Sequence, residues 1–192
     1  MWHGENSRKA ISKAGENLNR DVGKRFEQDF AKSMPEGAYY HRLKDPATSF
    51  GGGQFTRFAL SNPCDCFVYF YPNFYAFELK TTTAPLTFWR KADDLSVVKR
   101  TYNIRKNQIE GLLKVAETPG GIAGLVINFR PQNETYFVDI KRFVEVTDHM
   151  AKRSVNRTDI SSIGILIPQE LIRVRWRYDI GHLFNAIGDR GR

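Results

Sequence analysis

A chain of 192 residues with 41% hydrophobic content can bury one substantial core, and its 14 phenylalanines and eight tyrosines exclude a disordered chain. It carries 29 Lys+Arg against 21 Asp+Glu, a net charge of +8 that points to a polyanionic partner. No apolar run approaches the ~20 residues of a membrane span, so no membrane partner is expected.

The opening stretch, MWHGENSRKAISKAG, has no apolar core of a signal peptide, which predicts a cytoplasmic protein. Residues 1–14 are polar, basic and aperiodic and read as a flexible tail. Residues 15–192 read as a single domain. From Asn17 to Met34, Leu18, Val22, Phe26 and Phe30 recur at every fourth position, the pattern of an amphipathic helix stopped by Pro35 and Gly37. AYYHRLK, residues 38–44, predicts a strand. Three consecutive glycines and two prolines between 45 and 63 predict a loop, with a stalk-like excursion at 46–62. CDCFVYFY and FYAFELK flank Pro72-Asn73 as a hairpin whose strands, apolar on both faces, suit a central sheet position between helices. Ile104, Ile109, Leu112, Leu113 and Ala116 mark a second helix over 102–117, closed by Pro119-Gly120-Gly121. IAGLVINF (122–129) and ETYFVDI (134–140) predict two further strands, SIGILIP an edge strand, and YDIGHLFNAI a last helix. The order predicts an α/β fold, a mixed central sheet flanked by helices.

The hairpin carries the chemistry. With Pro72 and Asn73 as the loop, Tyr71 faces Phe74, Asp65 faces Lys80, and Glu78 is the diagonal neighbour of Asp65 on the same face. Diagonal Cβ atoms lie ~7–8 Å apart, within reach of a shared cation. Either these charges form a salt bridge that caps the sheet end, or the two carboxylates hold Mg²⁺ or Mn²⁺. Those hard ions take one or two protein carboxylates and complete their shells with water and phosphate oxygens. In the second case Lys80 orients a water or stabilises charge on the phosphate, and phosphodiester hydrolysis is the matching reaction.

Two helix residues are candidates for the same centre. Glu27 adjoins Phe26 of the first apolar stripe and is either a solvated glutamate or a site residue. Gln108 lies inside the stripe of the second helix, and a buried glutamine needs partners; these are either backbone carbonyls or the hairpin's charges. The other features carry little. The glycines at 51–53 lack the Gly-Lys-Ser/Thr of a phosphate loop, and His3, His41, His149 and His182 show no metal spacing. Cys64 and Cys66 are too close for an easy disulfide and too few for a zinc site, so reduced thiols are expected. Among the basic clusters, Arg20, Lys24, Arg42, Lys44, Arg57, Arg105 and Lys106 are best placed to contact phosphate. Phe55 and Phe58 of the 46–62 stretch suit stacking on exposed bases.

The order Glu27, Asp65, twelve intervening residues, Glu78-x-Lys80, then Gln108 resembles the PD-(D/E)xK nuclease superfamily. More closely, NRDVGKRFEQDF, CDCFVYFYPNFYAFELKTTT, NQIEGLLKVAETPGGIAGLVINF and TYFVD resemble the RecU family of Holliday junction resolvases, over about residues 17–140. The resemblance implies a restriction-endonuclease-like sheet, metal ligands at Asp65 and Glu78, a catalytic lysine at Lys80, and supporting roles for Glu27 and Gln108. It also implies a homodimer on four-way DNA junctions, with recombination proteins as further candidate partners. A restriction-type or flap nuclease of the same fold, or a non-catalytic DNA-binding module, would share many of these features.

Overall fold

A computed structural model of the chain describes residues 21–43, 62–95 and 100–190. The 1–14 tail, almost all of the 46–62 excursion, and Arg20, Lys44, Phe55, Arg57 and Phe58 lie outside them. Helix α1 occupies 21–31. It is followed by β1 (Tyr39–Arg42), β2 (Cys66–Phe70), β3 (Asn73–Thr82), β4 (Leu86–Thr87), α2 (Lys106–Ala116) and β5 (Gly121–Phe129). Then come β6 (Glu134–Asp139), α3 (Ile140–Asp148), β7 (Ser154–Val155), α4 (Arg157–Ile163), β8 (Ile165–Ile167), β9 (Gln169–Ile172), β10 (Arg175–Tyr178) and α5 (Ile180–Arg190).

Six strands form one mixed sheet in the order β1-β2-β3-β5-β6-β8. Only β3 and β5 run parallel, as a strand–helix–strand connection through α2 requires. The sheet has helices on both faces. On one, Ile109 and Leu112 of α2, Phe143 of α3 and Ile160 of α4 cover Ala76, Leu125 and Ile127. On the other, Phe26 and Phe30 of α1 and Leu183 and Phe184 of α5 cover Val68, Tyr75, Phe77 and Val126. This is the mixed sheet between helices that the element order predicts. The every-fourth-residue spacing of Phe26 and Phe30 is what aims both rings at Phe77 and Tyr178. Asp29, buried on the same helix, accepts a hydrogen bond from the Trp176 backbone N–H at 3.0 Å and ties α1 to β10.

Three expectations need correction. The hairpin register differs by two residues: Phe70 pairs with Asn73 and Cys66 with Phe77, so the turn falls at Tyr71-Pro72. Pro72 has no N–H for the ladder and stays in the loop, whereas Asn73 joins β3. The ladder ends at Cys66 and Phe77, and Asp65, in the bend before β2, does not face Lys80. The second correction concerns β2, which the apolar pattern places in the sheet centre. One of its faces is open, and Tyr69 is 46% exposed there. The third concerns 140–163, where the sequence reading assigns no helix. Asp139 caps α3 by accepting from the Lys141 and Arg142 backbone N–H groups, and Asn156 caps α4 by accepting from that of Asp159.

Candidate nuclease site at the end of the hairpin

The strands set the frame. Asp65 donates its backbone N–H to Phe77 O at 3.1 Å and accepts from Leu43 N–H at 2.9 Å, which fixes its chain against β3 and against the residue after β1. Its carboxylate Oδ2 accepts the Leu79 N–H at 2.7 Å. That amide gives no signal in the sequence, because only the register brings it there. Alternation along β3 puts Tyr75, Phe77 and Leu79 on the α1 side, and Ala76, Glu78 and Lys80 on the α2 side. Asp65 lies in the bend before β2, just outside the last ladder pair, Cys66 with Phe77. Its bond to the Leu79 N–H and its electrostatic effect on Glu78 bring the two carboxylates near each other.

Helix α2 adds Gln108. Its Oε1 accepts the Arg105 N–H at 2.9 Å, a cap on the start of the helix, and its Nε2 donates to Glu78 Oε1. The buried glutamine therefore meets the hairpin's charge, and its backbone partner is an N–H rather than the carbonyl foreseen. Lys80 Nζ lies 2.7 Å from the same Glu78 oxygen, with its side chain 21% exposed. Glu78 is buried, and burial pushes its carboxyl up to about 7; Lys80 pulls the other way, Asp65 adds to the rise, and Arg105 opposes it. Cys64, beside this centre, has its thiol pushed up to about 12 by burial and then by the two carboxylates. Cys64 and Cys66 are free thiols, as their spacing predicts.

Asp65, Glu78, Lys80 and Gln108 are thus brought together at this end of the sheet. Glu27 approaches the same end of the sheet from the α1 face, where it pairs with Arg42. Arg42 in turn stands opposite Cys66, the residue after Asp65. Of the basic candidates, Arg105 lies close enough to act on Glu78. Lys24 is exposed on α1, and Lys106 sits 5.1 Å over the Trp89 ring and 3.9 Å from Glu110. No group of three or more His, Cys, Asp or Glu able to hold a metal occurs among the described residues. Any metal here would therefore draw on the carboxylate pair and on non-protein oxygens.

A basic chain whose mixed sheet carries two carboxylates and a lysine at one end has the make-up of a phosphodiester-cleaving nuclease. The family model for Recombination protein U, RecU, matches residues 84–177. The SPbeta prophage-derived uncharacterized protein YotM of Bacillus subtilis (strain 168) is 30% identical over 160 residues, covering 78% of this chain and 73% of the relative. The chain belongs to the RecU family of Holliday junction resolvases. The family match includes Gln108 and begins after Lys80. The structure is also similar to that of Archaeoglobus fulgidus Hjc, a Holliday junction resolvase from an archaeal hyperthermophile, at 16% identity and a TM-score of 0.45 over 74% of this chain and 94% of that one.

Proposed function

We propose that the protein is a metal-dependent DNA endonuclease that resolves four-way junctions by paired nicks, acting as a homodimer. The observation that carries this reading is the convergence of the Asp65 and Glu78 carboxylates with Lys80 beside them, in a chain of the RecU family. The carboxylate pair fits a hard divalent ion. Burial holds the Glu78 carboxyl at about 7, and a neighbouring cation would relieve the repulsion that Asp65 adds. Asp65 and Glu78 would hold Mg²⁺, or Mn²⁺ in its place, and the bound ion would supply charge neutralisation at the phosphate and an acidified water.

The protein's own groups have separable tasks. The Leu79 N–H fixes the orientation of the Asp65 carboxylate, and the Gln108 amide fixes that of Glu78. Lys80, the partly solvent-open cation of the centre, can hand its charge from Glu78 to a phosphate oxygen or take part in a proton transfer at Nζ. Arg105 adds a second positive charge beside the phosphate position. In the test, labelled four-way junction, duplex, flap and single strand are each incubated with Mg²⁺ or with EDTA. Paired nicks in the junction with Mg²⁺, absent in EDTA, are expected; equal cutting of continuous duplex, or cutting in EDTA, would overturn the reading.

A further inference from the structure

The two faces of β1 and β2 differ in a way the catalytic centre does not explain. On the α1 side Val68 and Tyr75 are buried under α1 and α5. On the α2 side, Tyr39, Tyr69 and Phe74 pair in one row across three strands, and they are 64%, 46% and 39% exposed. The next row holds His41, Phe67 and the buried Ala76, and Glu78 follows Ala76 by two residues on the same face of β3. Successive same-face rows are about 7 Å apart. The open rings therefore begin one row from Glu78, on the same face.

The chemistry of this surface is narrow. The five exposed or half-buried side chains of these rows are all rings, over a buried Ala76, and those on β1 and the end of β2 carry hydroxyl or imidazole groups at their edges. Tyr39 and His41 lie with rings 10° from parallel at 6.4 Å, and Phe67 and Phe74 touch at 5.1 Å between centroids. Flat faces presented in steps along a strand suit flat partners, and nucleobases stack on them whatever their sequence. A continuous duplex keeps its base faces inside the helix, whereas a branch point, gap or single strand offers them.

We propose that this ring-lined face of β1, β2 and the start of β3 is a stacking platform for unpaired nucleobases, next to the place where a metal on Asp65 and Glu78 would take the scissile phosphate. The proposal rests on the nuclease reading for its register with the scissile phosphate, but the stacking itself does not need cleavage. It assigns preference for branched over continuous DNA to the described sheet.

The test uses the full chain with Tyr39→Thr and Tyr69→Thr, singly and combined. Threonine keeps the strand preference while removing the ring. Tyr39→Phe and Tyr69→Phe are the conservative controls, and circular dichroism checks the fold. Binding is measured in EDTA with oligothymidylate, with a continuous duplex, and with a four-way junction carrying 2-aminopurine at the crossover. Each threonine variant should weaken oligothymidylate binding at least about fivefold, the low end of the value of one stacked base. It should also restore 2-aminopurine fluorescence, leaving duplex affinity unchanged, and the phenylalanine variants should behave as wild type. Unchanged oligothymidylate affinity and fluorescence would overturn the platform. Loss of a homo-oligomer in the threonine variants, seen by sedimentation, would overturn it too and assign the face to a second copy of the chain. Wild-type protein that stacks bases but never cuts with Mg²⁺ would refute the nuclease reading alone; cutting with unaltered binding in the variants would refute the platform alone.

Discussion

Burial raises the Glu78 carboxyl to about 7 even with Lys80 Nζ 2.7 Å away. The unfolded chain releases the same proton near the ordinary value of 4.5. Between those values the folded protein binds more proton than the unfolded one, so this group makes stability fall as pH rises through the window. At 1.36 kcal/mol per unit, the full effect is about 3 kcal/mol. In metal-free urea unfolding, Glu78→Gln should flatten that fall and be the more stable protein above about pH 7; parallel curves for the two proteins would show that the buried charge carries no such penalty. The same residue separates chemistry from binding. Asp65→Asn and Glu78→Gln each remove a charge that would hold the metal, and Lys80→Ala removes the cation beside it. Each should lower Mg²⁺-dependent nicking by about a hundredfold or more. Gel-shift affinity for a four-way junction in EDTA should persist in all three, because each changes the net charge of +8 by one unit only. Full cutting by Asp65→Asn would remove the hairpin from the mechanism.

Element α2 acts as a clamp as well as a cover. Its Gln108 joins the helix start to Glu78, and one turn further Gly111 lies against the chain entering β2. A Cβ at Gly111 would stand 2.6 Å from Pro63 Cβ and 2.7 Å from Pro63 Cα. Neither atom is the end of a flexible side chain, so helix and strand must part. Gly111→Ala should destabilise the protein by about 1–3 kcal/mol, despite alanine's better helix propensity. Because Pro63 precedes Asp65 by two residues, nicking should fall as well. A thermal melt checks the first outcome, and an unchanged melting temperature would mean that the helix can retreat freely.

At the scale of the whole molecule, charge and symmetry govern. With a net charge of +8, binding driven by phosphate contacts should weaken steeply and linearly on a log–log plot against salt. A junction has two related scissile positions, and a two-fold dimer presents two sites through one isologous interface. Sedimentation at micromolar concentration should therefore show a homodimer; a stable monomer that still makes paired nicks would contradict it. No helix among the described residues is long and apolar enough to cross a membrane.

The sequence by itself determined what depends on local period. Four-residue spacing of Phe26 and Phe30 defined the buried stripe of α1, and strand alternation put Glu78 and Lys80 on one face. Asp65 lies in the bend before β2, outside that alternation. The stripe of α3, with Ile140, Phe143 and Thr147 buried and Asp139 as cap, follows the same local period. Tertiary structure alone decided the partners. Gln108 reaches Glu78 across 30 residues of chain, and Asp65 is held by a backbone amide with no side-chain signature. Glu27 enters from the opposite face with Arg42, and the rings of β1 and β2 stay open because α2 lies over β3 and β5 and leaves the sheet's edge bare. Period fixes which way a side chain points. Docking of distant elements fixes what it meets, and how deeply a charge is withdrawn from water.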